Sequence, residues 1–406
     1  MSPSNADGRG PAVLRLGVVG CGRFARFALE EFRRLPGVIV GAVADIDAAA
    51  AQAVAQQCGA VVVEPDVVLT SPEIDLVYIA TPPAAHHLLA RAALDAGRHV
   101  LVEKPLSTSV EDARDLAAAA IGRGLVCAAN LVQRYGPLAD TVREFLRLAP
   151  LGRLVHGVLV NEASDAGLHR HHWFWNRNES GGIFVEHAGH FFDLVAFWLG
   201  PGEVLAAARG LRRDDHGGNT NGEVEEQAGC TCRYGDGVLF HFEHGFHQPA
   251  PLDRLEIRLV FERGELRLFD WLPTHGELLA VVDDEAAGQL ATMLPDANVQ
   301  VVHRINSAAH SATPRLRGRF REFEAAAIVR ITFGVGLSKD EAFAEAVRGL
   351  AADQIARIRD PEHARRLTEA DAVAAVAMSC AADRLARAPT PATAPGTVLP
   401  GVFVSG

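Results

Sequence analysis

Three groups of residues have types and spacings that chemistry could use. The first is Gly17-Val18-Val19-Gly20-Cys21-Gly22, which ends the apolar run Leu14–Val19 and opens a helical pattern from Arg23 to Leu35. Between a strand and a helix, Gly20 lets the chain turn tightly, and Gly22 removes a Cβ where a pyrophosphate would approach the backbone. Ala25 lets the helix pack against the strand. The helix N-terminus, with Arg23 and Phe24 at its start, offers free N–H donors and positive potential to phosphates. The second group is Asp45, roughly 20 residues further on at the end of the strand Val38–Ala44. Its carboxylate can accept hydrogen bonds from both adenosine ribose hydroxyls and would repel a 2′-phosphate. Ile46, Asp47 and Ala48 follow, so no arginine is at hand to neutralise that phosphate, and NAD is expected over NADP. The third group is Glu186, His190 and Asp193, spaced i, i+4 and i+7 so that they line one face of a helix. Their neighbours are nearly all apolar. A polar stripe in such a helix is either buried and satisfied or faces a ligand pocket.

These groups need a frame to position them. At 406 residues the chain is long for one hydrophobic core and suggests two or three domains. Strand and helix patterns alternate with short connections before residue 135, giving six strand candidates, the number a full dinucleotide-binding sheet uses. Asp47 reads as the N-cap of an Ala-rich helix ending before Gly59, and further helices are expected at Ala84–Ala96, Ser109–Arg123 and Pro137–Leu148. Longer alternating runs follow at Leu154–Glu162, Glu203–Arg212, Glu226–Arg233, Gly237–Phe246, Arg254–Glu262 and Glu265–Leu272, some joined by hairpin signals such as Tyr234-Gly235-Asp236-Gly237. Helices are expected at Arg319–Arg330, Asp340–Ile358 and Glu369–Arg387. The expected fold is an α/β Rossmann domain (12–135) followed by an α+β substrate-binding and oligomerisation domain (136–387) with a large open, mainly antiparallel sheet. A mobile tail (388–406) completes the chain.

Composition narrows the partners. Apolar residues make up 49% and charged residues 22%, as in ordinary globular proteins, and the net charge of −11 disfavours nucleic acid. The six cysteines are scattered, with no C-x-x-C pair, and reduced thiols in a cytoplasmic enzyme are expected. Residues 1–10 lack the apolar core of a signal peptide, and no apolar run approaches the ~18 residues of a membrane span, so no membrane partner is expected. His241, His244 and His247 invite a metal reading. On an alternating strand, however, His241 and His247 face one side and His244 the other, so no metal site is expected.

Two further segments make a family visible. They are Ala80-Thr81-Pro82-Pro83-x-x-His86 and Gly97-Arg98-His99-Val100-Leu101-Val102-Glu103-Lys104-Pro105. With Gly181-Gly182-Ile183-Phe184-Val185-Glu186-x-x-x-His190-x-x-Asp193, they strongly resemble the glucose–fructose oxidoreductase / inositol dehydrogenase (Gfo/Idh/MocA) family over residues 12–385. Arg134-Tyr135-Gly136-Pro137, Leu151-Gly152-Arg153-Leu154 and Trp175 are smaller echoes.

The resemblance implies an NAD-dependent dehydrogenase oxidising, or reversibly reducing, a secondary hydroxyl on a sugar, sugar nucleotide or cyclitol. It assigns Lys104, Glu186 and His190 to catalysis, with His190 as general acid/base assisted by Lys104. Glu186 stands where the family more often has Asp, so its carboxylate reaches one methylene further. Asp193 is expected to orient a neighbouring polar group rather than react. Gly17, Gly20, Gly22, Arg23, Phe24, Asp45, Thr81, Pro82, His86, Glu103 and Lys104 form the expected cofactor set. Lys104, Arg134, Trp173, Trp175, Glu186 and His190 form the expected substrate set. Trp173 and Trp175 belong to the segment His169–Asn176, where aromatic faces suit sugar rings and His or Arg suits polar substituents. A homodimer or homotetramer is implied. Two alternatives stay open: an NAD-retaining, glycosidase-like enzyme that works by transient oxidation, and a non-enzymatic NAD-binding regulator.

Overall fold

A computed structural model describes residues 13–169, 171–213, 223–283, 285–305, 315–317 and 321–388. Short apolar strands alternate with amphipathic helices at the start: β1 (Leu14–Val19), α1 (Arg23–Phe32), β2 (Val38–Ala44), α2 (Ala48–Cys58), β3 (Val61–Val62), α3 (Pro65–Thr70), β4 (Leu76–Ile79), α4 (His86–Asp95), β5 (His99–Val102), α5 (Val110–Arg123) and β6 (Cys127–Ala129). Every strand pairs in parallel, in the order β3-β2-β1-β4-β5-β6. Val18, Val43, Val77, Ile79, Val100 and Val102 are completely buried, as expected of a sheet covered on both faces. Asp47 caps α2 by accepting from the amides of Ala49 and Ala50, and Gly59 ends it in the left-handed conformation.

The second half contains α6 (Ala139–Leu148), β7 (Leu154–Ser164), α7 (Arg177–Ser180), a π-helical turn (Phe184–Ala188) and α8 (Gly189–Leu199). The sheet continues with β8 (Gly202–Arg213), β9 (Glu223–Tyr234), β10 (Val238–Gln248), β11 (Arg254–Phe261), β12 (Gly264–Phe269) and β13 (His275–Val282). After α9 (Ala286–Thr292) come β14 (Asn298–Arg304), β15 (Arg315–Arg317), β16 (Glu322–Glu324) and β17 (Ala327–Gly334). Among the described residues nine strands form one sheet, ordered β14-β17-β13-β12-β11-β7-β10-β9-β8, in which β7 and β10 are the single parallel pair. Along β11, Leu255, Ile257, Leu259 and Phe261 are buried while the residues between them face outward, the two-residue period of a sheet with one covered face.

One expectation is overturned. Arg319–Arg330 is not a helix: β16 and β17 occupy its described part, and residues 318–320 lie outside the described residues. The Ala325-Ala326-Ala327 run favours a helix locally. Beyond it, Ala327, Val329, Ile331 and Phe333 are buried on one face, and β17 is sandwiched between β13 and β14, whose ladders override that preference. Strands β13 and β14 had no counterpart in the sequence reading.

The chain closes with α10 (Lys339–Arg359) and α11 (Glu369–Arg387), each opened by a capping box, Ser338 with Glu341 and Thr368 with Asp371. Although they follow the second sheet, they return to the first. Ala346, Val347, Leu350 and Val376 join its core, Phe343 stacks on Phe27 at 5.2 Å, and Arg348 pairs with the buried Glu31 at 2.7 Å. Apart from Ala388, the expected mobile tail lies outside the described residues, as does Arg170 of the His169–Asn176 segment.

Candidate active site

The β1–α1 turn presses against the end of β4. Gly20 has φ +96°, and a Cβ there would stand 2.5 Å from the Ala80 carbonyl oxygen, so no other residue fits without displacement. Gly22 begins α1. Among the described residues no side chain caps that helix, and a Cβ on Gly22 would meet nothing within 4 Å, so the backbone here is open to close approach. Gly17 differs: a Cβ there would strike Val68 at 2.7 Å, so its bareness serves the packing of α3 on the sheet. Arg23 is exposed, whereas the Phe24 ring packs between Phe27 and Phe343. Asp45 ties the end of β2 to the glycine turn, accepting from the Cys21 amide at 2.5 Å and from the Asp47 amide at 2.7 Å.

The loops after β4 and β5 stand beside this turn. Pro82 leads into a short 3₁₀ turn before α4, and the Thr81 hydroxyl is buried with no hydrogen-bond partner among the described residues. His86 is fully buried. Its Nδ1 lies 2.7 Å from the Pro105 carbonyl and its Nε2 2.9 Å from the Thr81 carbonyl, so it fastens the two loops together. Burial pulls the His86 pKa below its ordinary value. Glu103 accepts from the Tyr78 hydroxyl at 2.5 Å and from Asn130 Nδ2 at 2.8 Å, and burial pushes its carboxyl up to about 7. Asn130 Oδ1 is also buried without a partner. An uncapped helix end open to close approach, together with two orphaned polar atoms, fits a dinucleotide whose phosphates meet α1. Gly20, Gly22, Asp45 and Thr81 are the residues that would hold it.

Lys104 follows β5 at the carboxyl edge of the parallel sheet. Its ammonium donates to the Glu186 carbonyl at 3.0 Å and forms an ion pair with the Glu186 carboxylate. The π-helical turn Phe184–Ala188 presents Glu186 there, and His190 follows in the first turn of α8. Lys104, Glu186 and His190 line a common small cavity with Ala372, Val376 and Ser379 of α11. His190 is buried, its Nδ1 has no partner among the described residues, and its ring meets Trp271 edge-on at 5.1 Å. Burial, reinforced by the Lys104 charge, holds its pKa well below the ordinary imidazole value, so the ring is neutral near pH 7. A neutral base, a fixed cation and a carboxylate therefore share one site, a set suited to moving a proton to or from a hydroxyl.

Asp193 is not part of that set. Three residues beyond His190, it turns about 60° around the helix axis. Arg134 holds it bidentately at 2.7 and 2.6 Å, while burial pushes its carboxyl up to about 6 against that pull. Arg134, expected among the substrate ligands, is itself buried and also binds Asp371 at 2.9 Å and the Arg366 carbonyl at 3.1 Å. The structure does not bring it to Lys104. Trp175 donates from Nε1 to the Leu168 carbonyl at 3.1 Å and packs edge-on to Phe174, and Trp173 is half-buried beside His172. His172 feels the Glu186 charge, although burial lowers its pKa overall.

Sequence reasoning missed several neighbours. Trp271 could not be placed against His190 from its position in the chain. His187 bonds Asn161 Nδ2 at 3.1 Å and meets the fully buried His244 edge-on at 5.4 Å. The alternation along β10 pointed to the last of these: His241 and His247 are exposed on the opposite face, where His247 pairs with Glu162 at 3.1 Å.

A parallel sheet with a glycine-led helix N-terminus at its carboxyl edge, and an acid–base group shared between the loop after β5 and the start of α8, defines a dinucleotide-dependent oxidoreductase. Residues 14–131 match the oxidoreductase family with an NAD-binding Rossmann fold, and residues 140–267 match the GFO/IDH/MocA C-terminal domain. The chain belongs to the GFO/IDH/MocA family. It is 30% identical over 260 residues to the dTDP-3,4-didehydro-2,6-dideoxy-alpha-D-glucose 3-reductase of Saccharopolyspora spinosa, a match spanning 61% of this chain and 75% of that one. It is 28% identical over 240 residues to the 1,5-anhydro-D-fructose reductase of Ensifer adhaerens, spanning 57% and 72%. Among solved structures, levoglucosan dehydrogenase in complex with NADH and levoglucosan shares the fold with a TM-score of 0.71 at 15% identity, over 92% of this chain and 97% of that one. No helix among the described residues is long and apolar enough to cross a membrane.

Proposed function

We propose that this chain is an NAD-dependent dehydrogenase, or the corresponding ketoreductase, acting on a secondary hydroxyl of a sugar, sugar nucleotide or cyclitol. The observation that carries the reading is the convergence of Lys104, Glu186 and His190, whose buried Nδ1 has no partner among the described residues, at the carboxyl edge of the parallel sheet. NAD held by its phosphates at the N-terminus of α1 would supply the hydride acceptor or donor. His190, neutral by burial, accepts the hydroxyl proton during oxidation and returns it during reduction. The Lys104 ammonium, fixed by the Glu186 carboxylate and carbonyl, donates to the reacting oxygen and stabilises negative charge developing on it. The Glu186 carboxylate orients Lys104 and accepts from a second substrate hydroxyl.

Asp45 favours NAD, because its carboxylate would repel a 2′-phosphate and no cation follows it before α2. The substrate class rests on the named relatives, a sugar-nucleotide 3-reductase and an anhydrosugar reductase. A homodimer or homotetramer belongs to the same reading. The test is NADH formation at 340 nm across free sugars, sugar nucleotides and cyclitols, with the matching ketones for the reverse direction. Lys104→Ala and His190→Ala should each lower turnover by about a hundredfold or more while NAD affinity stays within about twofold. Turnover surviving in both variants would overturn the assignment.

A further inference from the structure

A second concavity lies farther along α8, beyond His190, between its C-terminal half, α11 and the segment joining α8 to β8. Its volume is about 1140 Å³. Trp198, Ala374, Ala377, Met378 and Ala381 give it an apolar floor, and five arginines reach it. Three of the five have acidic partners: Arg134 has Asp193 and Asp371, Arg365 has Glu369, and Arg366 has Asp140. Arg143 and Arg384 have no carboxylate within ion-pair distance among the described residues. The acids of the groove are engaged elsewhere: Asp353 by His363 and Tyr135, and Glu203 by Arg233.

The guanidiniums are also crowded. Arg134, Arg143 and Arg366 stand 5.5, 4.5 and 5.2 Å from the centroid of a single ring, Phe197. Phe197 offsets part of the repulsion among like charges but supplies no net negative charge. In a chain of net charge −11, two guanidiniums without an acidic partner among the described residues stand in a concave, partly apolar wall, and concavity concentrates their field. We propose that this groove binds a small organic anion, one carrying a phosphate or carboxylate on an apolar body, through Arg143 and Arg384. Arginine suits both anions, which its planar fork grips with two parallel hydrogen bonds. The groove is separate from the cavity of Lys104 and His190.

Isothermal titration calorimetry on NAD-saturated protein tests this, because the phosphate-binding turn at Gly22 is then already filled. Phenyl phosphate and benzoate are the probes, alike in their apolar ring and different in the anion. Saturable binding of one or both is expected, and the probe that binds more tightly identifies the anion. In the double variant Arg143→Ala/Arg384→Ala, affinity should fall about tenfold or more, the loss of charge-assisted hydrogen bonds. Its turnover without probe should be unchanged, since neither residue touches Lys104, Glu186 or His190. Absence of saturable binding by either probe would overturn the proposal, as would binding that the double variant leaves intact. A change of oligomeric state in the double variant by light scattering, without probe binding to the parent protein, would also overturn it and make the groove a protein interface.

Discussion

Replacing Arg134 by Met separates two roles for that residue, because the structure makes it a fastener of α8 rather than a substrate ligand. Asp193 has a fully buried side chain, and among the described residues Arg134 supplies both of the hydrogen bonds its carboxylate receives. Removing the guanidinium leaves an uncompensated buried charge, which costs about 3–5 kcal/mol at pH 8. Asp193 can escape part of that cost by taking up a proton. Its carboxyl already titrates at about 6 with Arg134 present, above the ~3.9 of an unfolded chain. Losing the cation raises the folded value further. A group with a raised folded pKa binds its proton more tightly when folded, so its contribution to stability is full below about pH 4 and is lost as pH rises through the folded pKa. The slope approaches 1.4 kcal/mol per pH unit.

The destabilisation measured at pH 8 should therefore shrink by at least about 2 kcal/mol at pH 5.5. Urea unfolding followed by far-ultraviolet circular dichroism at the two pH values reads this directly. The companion Arg134→Met/Asp193→Asn should recover most of the loss at pH 8, since no buried charge then remains. An equal loss at both pH values, or a double variant no more stable than Arg134→Met, would refute the reasoning. A raised KM with unchanged stability would return Arg134 to the substrate set.

Three further outcomes follow from the site. Gly22→Ala should leave the unfolding midpoint near that of the parent while weakening NAD binding about tenfold or more, whereas Gly20→Ala should cost about 2 kcal/mol of stability through strain at positive φ; thermal melts with and without NAD separate the two. Asp45→Ala should raise the Kd for NAD and lower that for NADP, which fluorescence titration of both cofactors checks. Because burial and Lys104 hold the His190 pKa down, kcat/KM for alcohol oxidation should stay flat from pH 8 to below ~6.5, falling only under that value as the ring protonates. Ketone reduction, which needs the protonated ring, should gain as pH falls; an acid limb for oxidation at or above ~6.5 would contradict the assignment.

Local patterns carried the first sheet almost completely: apolar runs, glycine turns and the Asp47 cap lie next to the elements they define. Period-two alternation carried β7 to β12 in the same way. It failed at β17, where an alanine run favours a helix and only β13 and β14, distant in sequence, decide the outcome. The shared helix face placed Glu186 beside His190 but could not exclude Asp193, because the turn before α8 is π-helical and Arg134 waits on the adjoining surface. His86 was expected in the cofactor set, but its ring lies fully buried between two carbonyls from separate loops, an arrangement no local pattern reveals. Trp271 against His190 joins residues that only the packed fold brings together.

The return of α10 and α11 to the first sheet has a consequence for how the protein is made. Leu350 and Val376 plug that sheet's core, and Glu369 accepts the Cys127 amide of β6 at 3.0 Å. During synthesis the cofactor-binding half emerges first, yet it must wait for nearly the whole chain before its last apolar surface is sealed. A fragment ending near residue 135 would carry that surface bare and should aggregate or lean on a chaperone. The two halves thus mature together, and a ribosome that stalls anywhere in the second sheet leaves the first one unfinished.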